Sequence, residues 1–205
     1  MGTHSERRYT EVLRQRTAAL EGLFGKHSLY LASPVPFYLG GDATILGFDE
    51  YLPDHTVFCT NEMTGAWGSG QKPGNSGEFE LVMVLAKGST LAPSRAADGL
   101  MRKGWLGVTL HGFAKYSTQA VLTPGEVAGP LPDAFSPHTH LLFVDFAAGK
   151  VKFGFGGRQY GLLLLISISA AEKRYHEAHG AEALLKILRK AGSYPASDPA
   201  RMDVL

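Results

Sequence analysis

Two histidines, His138 and His140, are the residues of this chain whose type and spacing most readily suggest chemistry. Side chains alternate along an extended strand, so the two imidazoles would lie on one face of it. A zinc site needs further ligands. His111 and Asp145 are of a suitable type, but only the fold can bring them near the pair. The pattern therefore favours a strand-edge or surface role, and we predict no metal and no cofactor.

The other catalytic patterns in the sequence are incomplete. Glu172, His176 and His179 have the spacing of one helix face, but not the order of the HExxH motif, and we expect an exposed polar face there. No GxSxG turn is present. The single cysteine, Cys59, lies in an apolar segment and is expected to be buried. The sequence indicates no reaction, and we predict that the protein is not an enzyme.

Two glycine-rich stretches also fail to match a phosphate-binding loop. Residues 68–74 lack the Gly-Lys-Ser/Thr ending and contain Pro73, which removes a backbone donor. Residues 154–157 are flanked by aromatic side chains and do not lead into a helix. The first stretch is part of an irregular loop over residues 64–77, as its five glycines and one proline indicate.

The charge balance narrows the class of partner. The chain has 205 residues, with 20 Lys+Arg against 19 Asp+Glu, and 44% of its residues are hydrophobic. No basic stripe of the kind that nucleic-acid binding requires is present. Arginines such as Arg14 and Arg16 are expected on solvated helix faces. The polar start, the short apolar runs and the lone cysteine predict a cytoplasmic protein that binds neither nucleic acid nor membrane.

The hydrophobic pattern alternates between the helical and the extended period. It predicts helices over residues 5–24, 93–119, 170–178 and 181–190, and strands over 43–48, 55–60, 78–86, 139–146, 151–155 and 161–169. Ser169 and Glu172 have the spacing of a capping box, and Gly180 separates the last two helices. One economical arrangement follows, a single α/β (α+β) domain over residues 1–205 with a mixed central β-sheet flanked by helices.

Several segments, in order, resemble one known family. They are residues 57–65, 77–83, 112–116, 140–143, 164–172, 179–185 and 194–201, which include the sequences HGAEALL and YPASDPAR. Together they are similar to the Suppressor-of-fused domain, and we expect the type found in bacteria. The resemblance is clearest over residues 50–205. Residues 1–49, an N-terminal helix and a connection, carry no specific match.

The resemblance implies a function without chemistry. Such domains in animals belong to a protein that sequesters a transcription factor, and the bacterial relatives are regarded as immunity proteins. We therefore expect a non-catalytic protein-binding module of the immunity (antitoxin) type that binds and neutralises a partner protein. A hydrolase, metal-dependent or not, that uses His138, His140 or His111 is the first alternative. A small-molecule sensor is the second.

The glycine-rich loop is the predicted partner-binding surface. Trp67 is a large aromatic residue in this loop, and Gly68, Gly70 and Lys72 follow it closely. Loops on a rigid scaffold often carry function, and tryptophan is a frequent interface anchor. The alternative is that Trp67 folds back onto the domain.

Overall fold

The fold was described from a computed structural model. It describes residues 3–65, 79–95, 101–102, 104–131, 138 and 140–205. Over these ranges the chain forms the following elements: α1 (Thr3–Phe24), β1 (His27–Leu31), β2 (Ile45–Leu52), β3 (His55–Thr60), β4 (Phe79–Ala86), β5 (Ser94–Arg95), β6 (Met101–Arg102), α2 (Gly104–Tyr116), β7 (Val127–Ala128), β8 (His140–Asp145), β9 (Phe153–Phe155), β10 (Arg158–Ile168), α3 (Ala170–His179) and α4 (Ala181–Lys190). None of the described helices is both long and apolar enough to cross a membrane.

The main sheet has the strand order β1-β2-β3-β4-β10-β8-β7, and β9 pairs with the first residues of β10. The pairing of β4 with β10 is parallel, with Leu163 opposite Leu81, and the other pairings are antiparallel. The sheet is therefore mixed, and helices cover it, so the predicted α/β fold of one domain is confirmed.

A separate hydrophobic core lies on each face of the sheet. Alternate residues of β10 enter the two cores, with Leu164 in the core under α1 and α4 and Leu165 in the core under α2. Side chains alternate along a strand, so a strand covered on both faces is apolar throughout. This is why β4 and β10 show unbroken apolar runs, and why the prediction of a central strand over residues 78–86 is confirmed.

The helix predicted over residues 93–119 is wrong in its first half. The described residues there include a short pairing of β5 with β6, and the helix begins only at Gly104. Gly104 has a φ of +61°, and a Cβ at this position would come within 2.6 Å of the backbone oxygens of Leu91 and Ala92. The amide of Leu106 donates to the Leu91 oxygen at 3.1 Å. Glycine is needed here for a close backbone approach, which periodicity does not reveal.

The C-terminal helices agree closely with the sequence pattern. Ser169 Oγ accepts a hydrogen bond from the amide of Glu172, and the Glu172 carboxylate accepts one from the amide of Ser169, which completes the predicted capping box. Gly180, with a φ of +82°, separates α3 from α4. Leu184, Leu185 and Leu188 of α4 are buried, as its apolar stripe predicts.

Candidate functional site

The predicted partner-binding residues Trp67, Gly68, Gly70 and Lys72 lie outside the described residues. The structure does describe the two chain segments that flank their loop, the turn from Asn61 to Gly65 and the start of β4.

A buried carboxylate joins these two flanks. Glu80 of β4 is fully buried, and its Oε1 accepts hydrogen bonds at 2.9 Å from the amide of Met63 and from both the amide and the hydroxyl of Thr64. Its Oε2 accepts from Thr60 Oγ1 at 2.6 Å. One carboxylate therefore fixes both ends of the loop against the sheet.

Arg16 of α1 completes this cluster. Its Nε lies 3.7 Å from Glu80 Oε1, and its terminal nitrogens donate to the backbone oxygens of Asn61, at 2.8 Å, and Thr64. The guanidinium also lies over the ring of Phe155, 5.2 Å from its centroid. Arg16 is fully buried, so the expectation of a solvated face is wrong for this residue. The sequence held a signal, because Arg16 lies four residues before the buried Leu20, on the same stripe of the helix.

Burial shifts the pKa values of two groups in this cluster, Glu80 and the neighbouring Cys59. Burial raises the pKa of Glu80, and the Arg16 charge and the hydrogen bonds from Thr60 and Thr64 oppose that rise. Burial, together with the nearby Glu80 carboxylate, raises the pKa of the Cys59 thiol well above its ordinary value. The predicted burial of Cys59 is confirmed. Burial holds its thiol in the neutral form, which is a poor nucleophile.

A second buried carboxylate, that of Glu62 in the turn itself, holds a different segment. Glu62 accepts hydrogen bonds from the amide of Phe37, at 2.8 Å, and from the amide of Thr44, at 3.3 Å. Burial and the Glu62 carboxylate raise the pKa of the Tyr9 hydroxyl on α1. The turn from Asn61 to Gly65 thus contacts three parts of the chain: α1, β4 and the segment that precedes β2.

The three candidate histidines do not come together. His111 lies on α2, where its Nε2 is 2.9 Å from the backbone oxygen of Ala43. His138 Nδ1 is 2.8 Å from the backbone oxygen of Pro199, and its Nε2 is 3.9 Å from the Glu172 carboxylate on α3. His140, on β8, interacts electrostatically with residues of α3. Because α2 and α3 cover opposite faces of the sheet, His111 cannot share a metal with the other two. Among the described residues no group of three or more His, Cys, Asp or Glu side chains has the geometry of a metal site.

The expected exposed polar face of α3 holds for His179, which is exposed, but not for Glu172. Glu172 is fully buried and forms a bidentate ion pair with Arg201, at 2.7 and 2.6 Å. Arg201 in turn donates to the backbone oxygen of Ser167 at 3.1 Å. The half-buried His176 is 2.7 Å from the backbone oxygen of Gly125 through its Nε2. This cluster fastens the C-terminal segment to the junction of β10 and α3.

The glycines of residues 154–157 likewise have a structural role. Gly156 and Gly157 form the two-residue turn between β9 and β10, with φ values of +58° and +77°. Positive φ at both central residues is typical of a type I′ hairpin turn. This stretch is a hairpin rather than a phosphate-binding loop.

An open apolar groove of about 1230 Å³ lies between α2 and the chain that follows it. The helical wall consists of Trp105, Val108, Thr109, Gly112, Phe113 and Tyr116. The opposite wall is formed by residues 121–122 and 126–131, which include the edge strand β7, and Phe143 of β8 also lines the groove. Most of the lining side chains are apolar, so the groove is suited to hydrophobic contact.

Several side chains of the groove expose apolar surface. Val108 is 64% exposed, Tyr116 49% and Val121 38%. The helix α2 carries a single charged residue, Lys115, which does not line the groove. Its Nζ pairs with Asp42 Oδ1 at a distance of 2.8 Å. A solvated helix face ordinarily carries charges, and a contiguous apolar surface rimmed by polar residues marks an interaction site. The lack of charge over residues 104–116 was visible in the sequence, but which face it would leave open was not.

The described fold is similar to two solved structures. The structure of a Sufu–Fu complex matches with a TM-score of 0.67 and 17% identity, over 94% of this chain and 91% of that one. The structure of Drosophila Suppressor of Fused matches with a TM-score of 0.62 and 16% identity. That match covers 94% of this chain, which spans about half of the Drosophila chain (51%).

The family itself is shown at the level of sequence. A search of curated protein sequences finds no significant match. The family model described as Suppressor of fused protein (SUFU), however, matches residues 43–202. This range contains the turn from Asn61 to Gly65, the groove and the Glu172–Arg201 pair, and it is most of the chain. The chain belongs to the Suppressor of fused family.

Proposed function

We propose that this chain is a non-catalytic module that binds another protein, with residues 1–205 acting as one domain. The apolar groove beside α2 is the observation that carries this proposal. Its helical wall combines three aromatic side chains, Trp105, Phe113 and Tyr116, with the exposed Val108. Aromatic residues are enriched in the cores of protein interfaces, whereas charged residues are depleted there.

The chemistry of the remaining residues supports a role without catalysis. The candidate residues Glu172 and Cys59 are buried, and so is the Glu80 carboxylate. His111 and His138 each contact a backbone oxygen, on opposite faces of the sheet. A catalytic group must reach a substrate, and these side chains face the protein interior.

Family membership supports the same class of function. One of the similar solved structures is a complex of Sufu with Fu. By analogy we propose a protein partner for this chain, and, as the finer proposal, an immunity role of the bacterial type in the cytoplasm, in which binding neutralises the partner. A fold alone does not define a function, and the groove is the feature of this chain that supports protein binding.

The glycine-rich loop with Trp67, Gly68, Gly70 and Lys72 is proposed as a second contact surface. Its flanks are held by Glu80 and Arg16, so its ends have a defined position on the domain. Fixed ends reduce the conformational entropy that a partner-binding loop loses on binding.

The test is capture of the partner from native lysate by the tagged full-length chain, read by mass spectrometry. Three further baits carry Val108→Glu, Trp67→Ala or, as the matched control, Met202→Glu. Val108 is 64% exposed and Met202 88% exposed, so both accept a charge without its burial in the domain.

We expect one stoichiometric protein partner with the unmodified chain and with Met202→Glu. Val108→Glu is expected to reduce capture roughly tenfold or more, because the new carboxylate would be desolvated in the interface. Trp67→Ala reports on the loop separately. The absence of any reproducible partner under several growth conditions would contradict the proposal.

A further inference from the structure

We propose that the segment of the partner that occupies the groove is an amphipathic α-helix, which packs along α2 and carries a lysine or arginine that pairs with Glu126. This inference rests on the proposed protein-binding function and names the chemistry of the partner.

The exposed side of α2 has the form of a helix-packing face. Trp105, Val108, Gly112 and Tyr116 line the groove at successive spacings of three, four and four residues. Residues at such spacings lie on one face of a helix and form a ridge that can enter the groove of a second helix. The ridge extends over most of the 13 residues of α2, about 20 Å at the usual rise per residue.

Gly112 lies near the middle of this ridge and leaves room for close approach. A Cβ placed on Gly112 would meet no atom within 4 Å. The fold therefore does not need glycine here for want of space, and a larger side chain would project into the groove. The absence of a side chain lets the backbone of a second helix come near, as small residues do at helix crossings.

An extended strand is a poorer fit to the opposite wall. The edge strand β7 contains only Val127 and Ala128, and Pro130 follows after one residue. Proline has no amide hydrogen to donate, and two residues provide few ladder bonds, so strand addition would gain little here. The recognition surface of the groove is its helical wall.

The carboxylate of Glu126 indicates which charge the partner should carry beside the groove. Glu126 is exposed, and it is the only charged side chain among the described residues that line the groove. A carboxylate beside an apolar surface favours a partner that presents a cation at the same place, because a bound acidic side chain would be repelled there. A lysine or arginine on the edge of the bound helix meets this requirement.

The experiment selects displayed peptides of about 16 residues, long enough to cover α2, on the immobilised full-length chain. The library randomises apolar and charged positions without imposing a period. The best peptides are then synthesised, and their Kd is measured by fluorescence anisotropy against the unmodified chain and against Val108→Glu, Gly112→Leu, Glu126→Lys and the control Met202→Glu.

We expect the selected peptides to carry apolar residues at i, i+3 or i+4, and i+7, with at least one basic residue. Val108→Glu and Gly112→Leu should each weaken binding roughly tenfold or more, and a proline in the middle of the peptide should do the same. Glu126→Lys should reverse the preference, so that exchanging the basic residue of the peptide for glutamate restores binding.

Four results would overturn the inference. They are selected peptides of strict two-residue alternation, binding that Val108→Glu does not change, no selected binder at all, and a dimer of the unmodified chain that Val108→Glu converts to a monomer. The last result would assign the groove to a second copy. If lysate capture still yields a partner that Val108→Glu does not affect, the protein-binding function stands and only this inference fails.

Discussion

Replacing Arg16 by methionine tests how much the fold depends on one buried ion pair. The substitution keeps much of the side-chain volume but removes three contacts, those to the backbone oxygens of Asn61 and Thr64 and to the Glu80 carboxylate. Removing one member of a buried pair costs about 3–5 kcal/mol, because the other charge stays buried without its partner. A domain has about 5–15 kcal/mol of stability in total, so Arg16→Met should lose a large share of it.

The same helix offers a matched control. Arg14 also pairs with a glutamate, Glu11 at 2.7 Å, but its side chain is 69% exposed. Solvent and salt screen the attraction within an exposed pair, so Arg14→Met should change stability little. The double variant Arg16→Met with Glu80→Gln should recover part of the loss, since glutamine carries no charge and its single amide oxygen can replace Oε1 as the acceptor for Met63 and Thr64.

The pH dependence has a definite sign. Burial raises the folded-state pKa of Glu80, although Arg16 and the hydroxyls of Thr60 and Thr64 oppose the rise. The cost of burying this carboxylate is therefore present above its folded pKa and disappears as the pH falls and the group is protonated. Without Arg16 that cost is larger, so the difference in stability between Arg16→Met and the unmodified chain should narrow in acid.

The free energy of unfolding of the unmodified chain and the three variants is measured by urea denaturation, followed by circular dichroism. The measurements are made at neutral pH and at about pH 5, near the upper end of carboxyl titration. The reasoning is refuted if Arg16→Met is as stable as Arg14→Met, or if the difference from the unmodified chain widens as the pH falls.

Two further predictions concern the capping box and the buried thiol. Ser169→Ala removes the cap of α3 and the hydrogen bond from Ser169 to Asp203 at 2.9 Å. It should lower the free energy of unfolding, measured by heat or urea, by about 1–2 kcal/mol. Ser193→Ala is the control, and equal stability of the two variants would contradict the assignment of the cap. Cys59 should react with a thiol reagent such as DTNB only after unfolding in urea, because burial raises its pKa; rapid reaction of the native chain would show that the thiol is accessible.

Features of this protein that depend on local chemistry can be predicted from its sequence. Alternation, capping and positive φ are properties of neighbouring residues. The sequence therefore predicts the bounds of β3, the central position of β4, the capping box of Ser169 and Glu172, and the break at Gly180. The family was also recognised from its motifs, since their order along the chain is itself sequence information.

The contacts between distant elements could not be predicted, because they depend on how the whole chain folds. Arg16 and Glu172 were expected in solvent, and both are buried against partners 64 and 29 residues away, Glu80 and Arg201. A charged side chain is expected to be exposed when only its residue type is known. Burial of these two side chains is tolerated because a distant segment of the chain supplies the opposite charge.

The groove belongs to the same class of feature. Its two walls, α2 and the strand β7, are formed by different segments, and neither is a binding surface alone. The sequence showed a helix with little charge, but the core took one face of it, with Leu106 and Leu110, and left the face of Val108 open. Which face of an apolar helix remains exposed depends on the packing of the whole sheet, and local periodicity does not contain that information.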